Sequence, residues 1–353
     1  MRKVLLLLFF ALAMSIPVSG AYGSDVVKSS LPGAAAEIIG DLSLDTFTAD
    51  GLMDRLWSYI SLHIRSELGA VLRPVTAVVA ASLLCSIVDG IQIKKEIDYV
   101  NLAGCLAIAV AALGDVNSVS AMGRQVLGDM QDFSRVLLPV LASASAGAGA
   151  VGSAAAKYGA TALFMDVLIA VSTNVLLPLF GAYTAALVAS AATGDGRLKG
   201  AVKLMKWLCK LCLTALVSVF TFYLGLTGIA ASGADAAAAK AAKAIIGSFV
   251  PVVGKMVAGT SDTLAAGAML IRNSVGVFGL GAVLALCAAP FLAIGLRYLL
   301  FKAAAAVVSL ISGERIGALV EGIGSVYGML LGLVGTGAVF MFISILSLIR
   351  TVV

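Results

Sequence analysis

The sequence predicts an all-α, polytopic helical membrane protein, and three observations carry that prediction. Mean hydropathy is +1.07, with 61% apolar and only 12% charged residues, where a soluble domain carries about 25% charged residues. Apolar runs of about 20 residues, the length of a spanning helix, recur about six or seven times after an N-terminal leader. The same step also recurs inside apolar sequence: two bulky apolar residues, a proline, another aliphatic. Its copies are Leu137-Leu138-Pro139-Val140, Leu176-Leu177-Pro178-Leu179 and Phe249-Val250-Pro251-Val252. Proline removes a backbone donor and clashes with the preceding turn, so Pro139, Pro178 and Pro251 are expected to kink or break helices. A bilayer tolerates broken helices only where protein or a water-filled cavity covers the freed backbone. Transporters and channels use such re-entrant or broken elements.

The elements follow in order. Met1-Arg2-Lys3 and the apolar run after it, closed by small residues at Ser19-Gly20-Ala21 and Gly23, read as a cleavable signal peptide over residues 1–23. Residues 24–67 then form an exported segment. In it Leu52, Leu56, Trp57, Ile60 and Ile64 recur at helical spacing against Asp50, Asp54, Arg55 and Arg65. That pattern fits an amphipathic helix lying on the membrane surface, on a partner, or on the protein's own spans. Residues 68–353 form the helical transmembrane domain.

The first span covers residues 68–90 and carries Arg73-Pro74 near its start. The Lys94-Lys95 pair after it favours a cytoplasmic turn. A second span, residues 99–119, returns outward and ends in Asp115 and Asn117. Arg124, Asp129, Asp132 and Arg135 then suggest an interfacial helix over residues 120–134. Residues 142–156 are almost wholly Ala, Gly and Ser and suit a re-entrant or buried helix better than a lipid-facing one. Residues 161–192 surround Pro178 and make one kinked span or two short ones. Arg197, Lys199, Lys203, Lys206 and Lys210 place the next segment in the cytoplasm. Residues 211–231 run outward, residues 233–262 form exported or interfacial helices, and spans at 274–294 and 326–349 close the chain.

The chemistry available is narrow. A formal charge of +5, dispersed along the chain, makes no nucleic-acid surface; the bilayer is the medium. The 38 glycines suit close helix packing. Cys85, Cys105 and Cys287 lie in apolar runs, and Cys209-Lys210-Leu211-Cys212 has no second Cys or His pair, so all are packing residues. The single histidine, His63, builds neither a triad nor a zinc site. No G-x-x-x-x-G-K-[ST] loop, H-E-x-x-H helix or G-x-S-x-G elbow occurs in the sequence. The chain is therefore expected to be no enzyme and to carry no cofactor or metal.

Ionisable residues at membrane depth are more informative, because an unpaired charge there is costly. Asp166, in Ala162-Leu163-Phe164-Met165-Asp166-Val167, is flanked by apolar residues on both sides. Arg73, Asp89, Asp115, Arg272 and Arg297 lie nearer predicted span ends, where snorkelling or pairing is the ordinary outcome. Asp166, Arg73, Asp115 and Arg272 are the candidates for a polar cavity or a polar packing contact.

The C-terminal third carries a resemblance. Ser248-Phe249-Val250-Pro251-Val252-Val253-Gly254, Ser261-Asp262-Thr263 and Leu270-Ile271-Arg272-Asn273-Ser274-Val275-Gly276 resemble the stage III sporulation protein AE family of endospore formers. The order of features, from signal peptide through exported segment to broken spans, agrees. The resemblance implies a multi-pass protein of the mother-cell membrane around the forespore. Its implied partners are the other stage III sporulation A membrane proteins and stage II sporulation protein Q, and a homo-oligomer is one arrangement such an assembly allows. Together these would form a channel or secretion-like conduit that sustains the engulfed forespore, with energy from an ATPase encoded elsewhere. The resemblance carries over no active site. The rival expectation, from the broken helices alone, is a self-sufficient secondary transporter for a small solute; a passive scaffold is the third.

Overall fold

The computed structural model describes residues 38–39, 49–91, 99–147, 151–194, 198–219, 222, 253–312 and 314–349, and the side chains of 253–274 are not among those described. The expected signal peptide, the expected exported stretch before residue 49 apart from residues 38–39, the Lys94-Lys95 turn, Pro251 and the Arg272 side chain therefore lie outside the described residues, as does most of 211–252.

The described secondary structure is helical throughout: α1 Ala49–Ile91, α2 Tyr99–Gly147, α3 Val151–Val171, a π-helical turn Ser172–Leu176, α4 Leu177–Thr193, α5 over residues 198–219, α6 Val253–Ile311 and α7 Glu314–Ile349. Five stretches are long and apolar enough to cross a membrane: Asp54–Ile87, Leu102–Gly147, Ala154–Thr193, Val275–Ile311 and Glu314–Ile349. Helix is the economical answer for such sequence, since every backbone N–H and C=O is then satisfied within its own segment.

Side-chain bonds fix which helix ends meet. At one end Ser86 Oγ donates to the Ile311 carbonyl at 2.7 Å and Ser312 Oγ to the Ser82 carbonyl at 2.6 Å, and Lys199 reaches Glu314 at 3.9 Å. At the other end Ser145 Oγ donates to the Leu348 carbonyl at 3.2 Å and Lys157 Nζ to the Ser347 carbonyl at 2.9 Å. These two bonds satisfy carbonyls in the last turn of α7, which have no partner within the helix. The successive traverses α1, α2 and α3 with α4 therefore alternate in direction, as do α6 and α7, with the basic stretch of α5 at the first end.

The α6/α7 hairpin is the centre, and α1, α2 and α4 pack around it. Phe301 and Tyr327 are fully buried with ring centroids 4.9 Å apart. Glycine sets how closely the hairpin closes: a Cβ on Gly317 would stand 3.0 Å from the Cα of Ser309. An added methyl there would push the two backbones apart by a few tenths of an ångström.

The helices are longer and less broken than the sequence suggests. Pro74, Pro139 and Pro290 all lie inside continuous helices. Pro139 does not end the second span: the expected interfacial helix and part of the small-residue stretch join that span in one 49-residue helix. The amphipathic segment and the first span likewise form the single helix α1, with no break at residue 67. One proline removes one donor, and the hydrogen bonds on either side, held in apolar surroundings, keep the helix whole. At Pro178 the outcome differs. The π-helical turn Ser172–Leu176 precedes it, so the expected irregularity is present as a local π-bulge within a single long traverse.

Candidate functional site

At 1.5 Å per residue α2 is about 70 Å long, more than twice the roughly 30 Å hydrocarbon layer. Its outer face changes character along that length. Leu102, Leu106, Val110 and Leu113 are exposed one above another, at helical spacing. Beyond them the exposed positions include the polar residues Asn117, Arg124, Gln125, Asp132 and Arg135, among small residues such as Ser118 and Ala121. This face is thus aliphatic from Leu102 to Leu113 and mixed beyond.

Asp115 sits at that level on the inward side, in the main ionic cluster among the described residues. Arg297 Nε, from α6, donates to both Asp115 oxygens at 3.1 and 3.2 Å. Tyr327 Oη, from α7, donates to Asp115 Oδ2 at 2.6 Å. A second Arg297 nitrogen reaches Glu67 Oε2, from α1, at 3.4 Å and also donates to the Ala293 carbonyl at 3.0 Å. The Arg297 side chain is 8% exposed and that of Asp115 13%. Four helices that are distant in sequence are tied through one guanidinium. Arginine suits the task because its planar donors serve two carboxylates at once. Both oxygens of Asp115 accept hydrogen bonds, so the cluster works as a clamp on that carboxylate.

Asp166 lies elsewhere. It is on α3, with its side chain 63% exposed; Gln131 Nε2 donates to it at 2.6 Å and Arg135 approaches at 3.5 Å. Leu163 and Val167 beside it are also exposed. The result is a mixed polar and apolar face at the α2–α3 boundary, turned away from the bundle interior. Arg73 is exposed on α1, apart from both clusters.

Pro178 lines a groove. With Leu177 and Gly181 of α4 it faces Asn117, Ser120, Arg124 and Gln125 of α2 across a cavity of about 530 Å³. The π-bulge Ser172–Leu176 lies directly before this lining, and π-bulges gather at functional positions. No group of three metal-ligating side chains converges among the described residues.

Sequence reasoning found Asp115 and Asp166 but did not join either to its partners. Glu67 and Tyr327 were missed. The available signal was the coincidence of Asp115 and Arg297 at similar depth in predicted spans, two opposite charges that membrane burial would drive together.

Residues 35–351 match the family profile described as stage III sporulation protein AE. A curated relative, stage III sporulation protein AE of Bacillus subtilis (strain 168), is 21% identical over 208 residues, covering 59% of this chain and 52% of that protein. The chain thus spans about half the length of the curated relative it matches. No solved structure matches.

Proposed function

Because the chain belongs to the stage III sporulation protein AE family, we propose that it is a membrane subunit of a multiprotein mother cell-to-forespore channel or secretion-like complex required for endospore development. The observation that carries this is the outward-facing cluster of Asp166, Gln131 and Arg135 with Leu163 and Val167 beside it. Charged groups on a span are expensive against lipid, and exposed aliphatic residues are expensive against water. A protein partner that covers both removes both costs, so this face is the docking face. In this proposal the partners are other stage III sporulation A proteins and stage II sporulation protein Q.

In the same proposal a signal peptide at residues 1–23 delivers the segment after it outside the mother-cell cytoplasm. The end of the bundle carrying Lys199, Lys203 and Arg315 faces the cytoplasm, in keeping with the positive-inside rule. The Ser145–Leu348 end faces the space between the two membranes.

A self-sufficient secondary transporter fits less well. Alternating access needs one bundle to rock against another around an open site. Here the Arg297 clamp joins α1, α2, α6 and α7 at mid-depth. Deletion of the gene in its host tests the proposal, with arrest after engulfment expected, and the protein purified from sporulating cells is expected to bring other sporulation membrane proteins with it. Normal sporulation would overturn it, and solute binding by the purified protein alone would favour the transporter.

A further inference from the structure

The basic end of the bundle holds a second cavity, of about 420 Å³, between α4, α5 and α7. Its charged lining is Lys199, Lys203, Lys206 and Arg315 against Glu314 and Glu321. The three lysines are spaced to fall on one face of α5. Arg315 enters from the first turn of α7, its guanidinium laid against Gly194, where α4 ends in a left-handed residue (φ 69°). A side chain at Gly194 would be strained by that φ and would strike the guanidinium.

Both acidic groups are already engaged by lysines. Glu314 lies 3.9 Å from Lys199, and Glu321 accepts from Lys302 at 3.0 Å, a residue outside the lining. Lys203 has no carboxylate within ion-pair distance among the described residues. Lys206 is half-buried and donates to Ser325 Oγ at 3.2 Å. Burial pushes its pKa below the ordinary lysine value, against the upward pull of Glu321. The cavity therefore carries surplus positive charge with part of its hydration removed.

The rest of the lining is apolar, with Leu187, Val202 and Leu319 among it. On α5, Leu204 directly after Lys203 and Trp207 one turn beyond it are more than half exposed, and tryptophan favours the headgroup level of a bilayer. We propose that this cavity is a binding site for a phosphate-bearing anion, and that the occupant is the headgroup of an anionic phospholipid whose first acyl carbons lie on the apolar wall. Basic pockets between spanning helices are suited to such headgroups, and the volume falls within the range of small-ligand sites. A free phosphate would satisfy the cations but leave the apolar wall unused. The inference stands independently of the channel proposal.

The test uses the full-length protein in phosphatidylcholine nanodiscs, titrated with short-chain phosphatidylglycerol, short-chain phosphatidylcholine and inorganic phosphate, with binding followed by thermal shift and by tryptophan emission. The glycerol headgroup is expected to bind at least about tenfold more tightly than the choline one, a difference of about 1.4 kcal/mol. Lys203→Gln, at an exposed position, and Lys203→Gln with Lys206→Gln are expected to remove that preference; Arg124→Gln, a cation outside this cavity, retains it. Inorganic phosphate that saturates the site and displaces the lipid would uphold the anion site and make free phosphate its occupant. Equal affinity for the two lipids with no phosphate binding, or a preference that survives both lysine variants, would overturn the proposal.

Discussion

Arg297 and Asp115 stand 182 positions apart in sequence, yet the Arg297 Nε lies 3.1 and 3.2 Å from the two Asp115 oxygens. The pair is deep in the bundle: Tyr327, which donates to the same carboxylate, lies roughly 20 Å along α7 from Glu314 at 1.5 Å per residue. Removing one partner strands the other, whereas replacing both with apolar groups leaves neither of these two charges behind and costs only the Tyr327 hydroxyl and Glu67 a partner each.

Asp115→Ala or Arg297→Ala alone is therefore expected to lower stability by about 3–5 kcal/mol, the usual cost of an orphaned buried charge. Asp115→Leu combined with Arg297→Met is expected to recover part of that loss, the remainder being the buried Tyr327 hydroxyl left without its acceptor. Thermal unfolding in detergent, followed by retention of the monodisperse peak, reads the difference. A double variant as unstable as the worse single one would show that the pair is not a clamp.

Asp166 should behave in the opposite way. Its side chain is 63% exposed, and exposed ion pairs contribute about 0–1 kcal/mol. Asp166→Asn and Asp166→Ala are expected to accumulate in the membrane and melt like the parent. If Asp166 docks a partner, losing a contact worth about 1.4 kcal/mol weakens association about tenfold, and spore counts and co-purification should fall together. Wild-type sporulation by both variants would leave the passive scaffold standing.

Two glycines separate backbone contact from side-chain contact. A Cβ on Gly317 meets the Ser309 backbone at 3.0 Å, while one on Gly337 meets the flexible tip of Met130 at 2.9 Å. Met130 can swing aside and a helix backbone cannot. Gly317→Ala is expected to cost about 1–3 kcal/mol, as overpacking does, and Gly337→Ala distinctly less. Equal melting temperatures for the two variants would contradict this account of the hairpin.

The fold class was legible because hydropathy and run length respond to the bilayer alone. The prolines misled in part. Pro139 breaks helices in water, but in apolar surroundings the neighbouring hydrogen bonds hold the helix together. Pro178 did mark an irregularity, the π-turn beside the groove. Asp115 was placed near a span end, where pairing is the ordinary outcome, but its two partners come from positions 182 and 212 residues away, and Glu67 joins through Arg297, 230 residues from it. No local pattern encodes pairing at that range. Asp166 was expected at a cavity or a packing contact because sequence gives the depth of a residue in a span and not its azimuth. The structure turns it outward, next to Arg135.

Orientation gives the last prediction. The Ser86–Ile311 and Lys199–Glu314 contacts place the basic stretch at one end of the bundle, and the Ser145–Leu348 bond marks the other. In a background with the five native cysteines replaced, Ala146→Cys and Thr193→Cys put one thiol near each end. With the basic end in the cytoplasm, a membrane-impermeant maleimide added to intact cells that produce the protein should modify position 146. It should reach position 193 only after the cells are opened. The reverse pattern would invert the topology and move Trp207 and the basic cavity to the exported leaflet. Modification of both thiols from outside would show that α3 and α4 do not together cross the membrane.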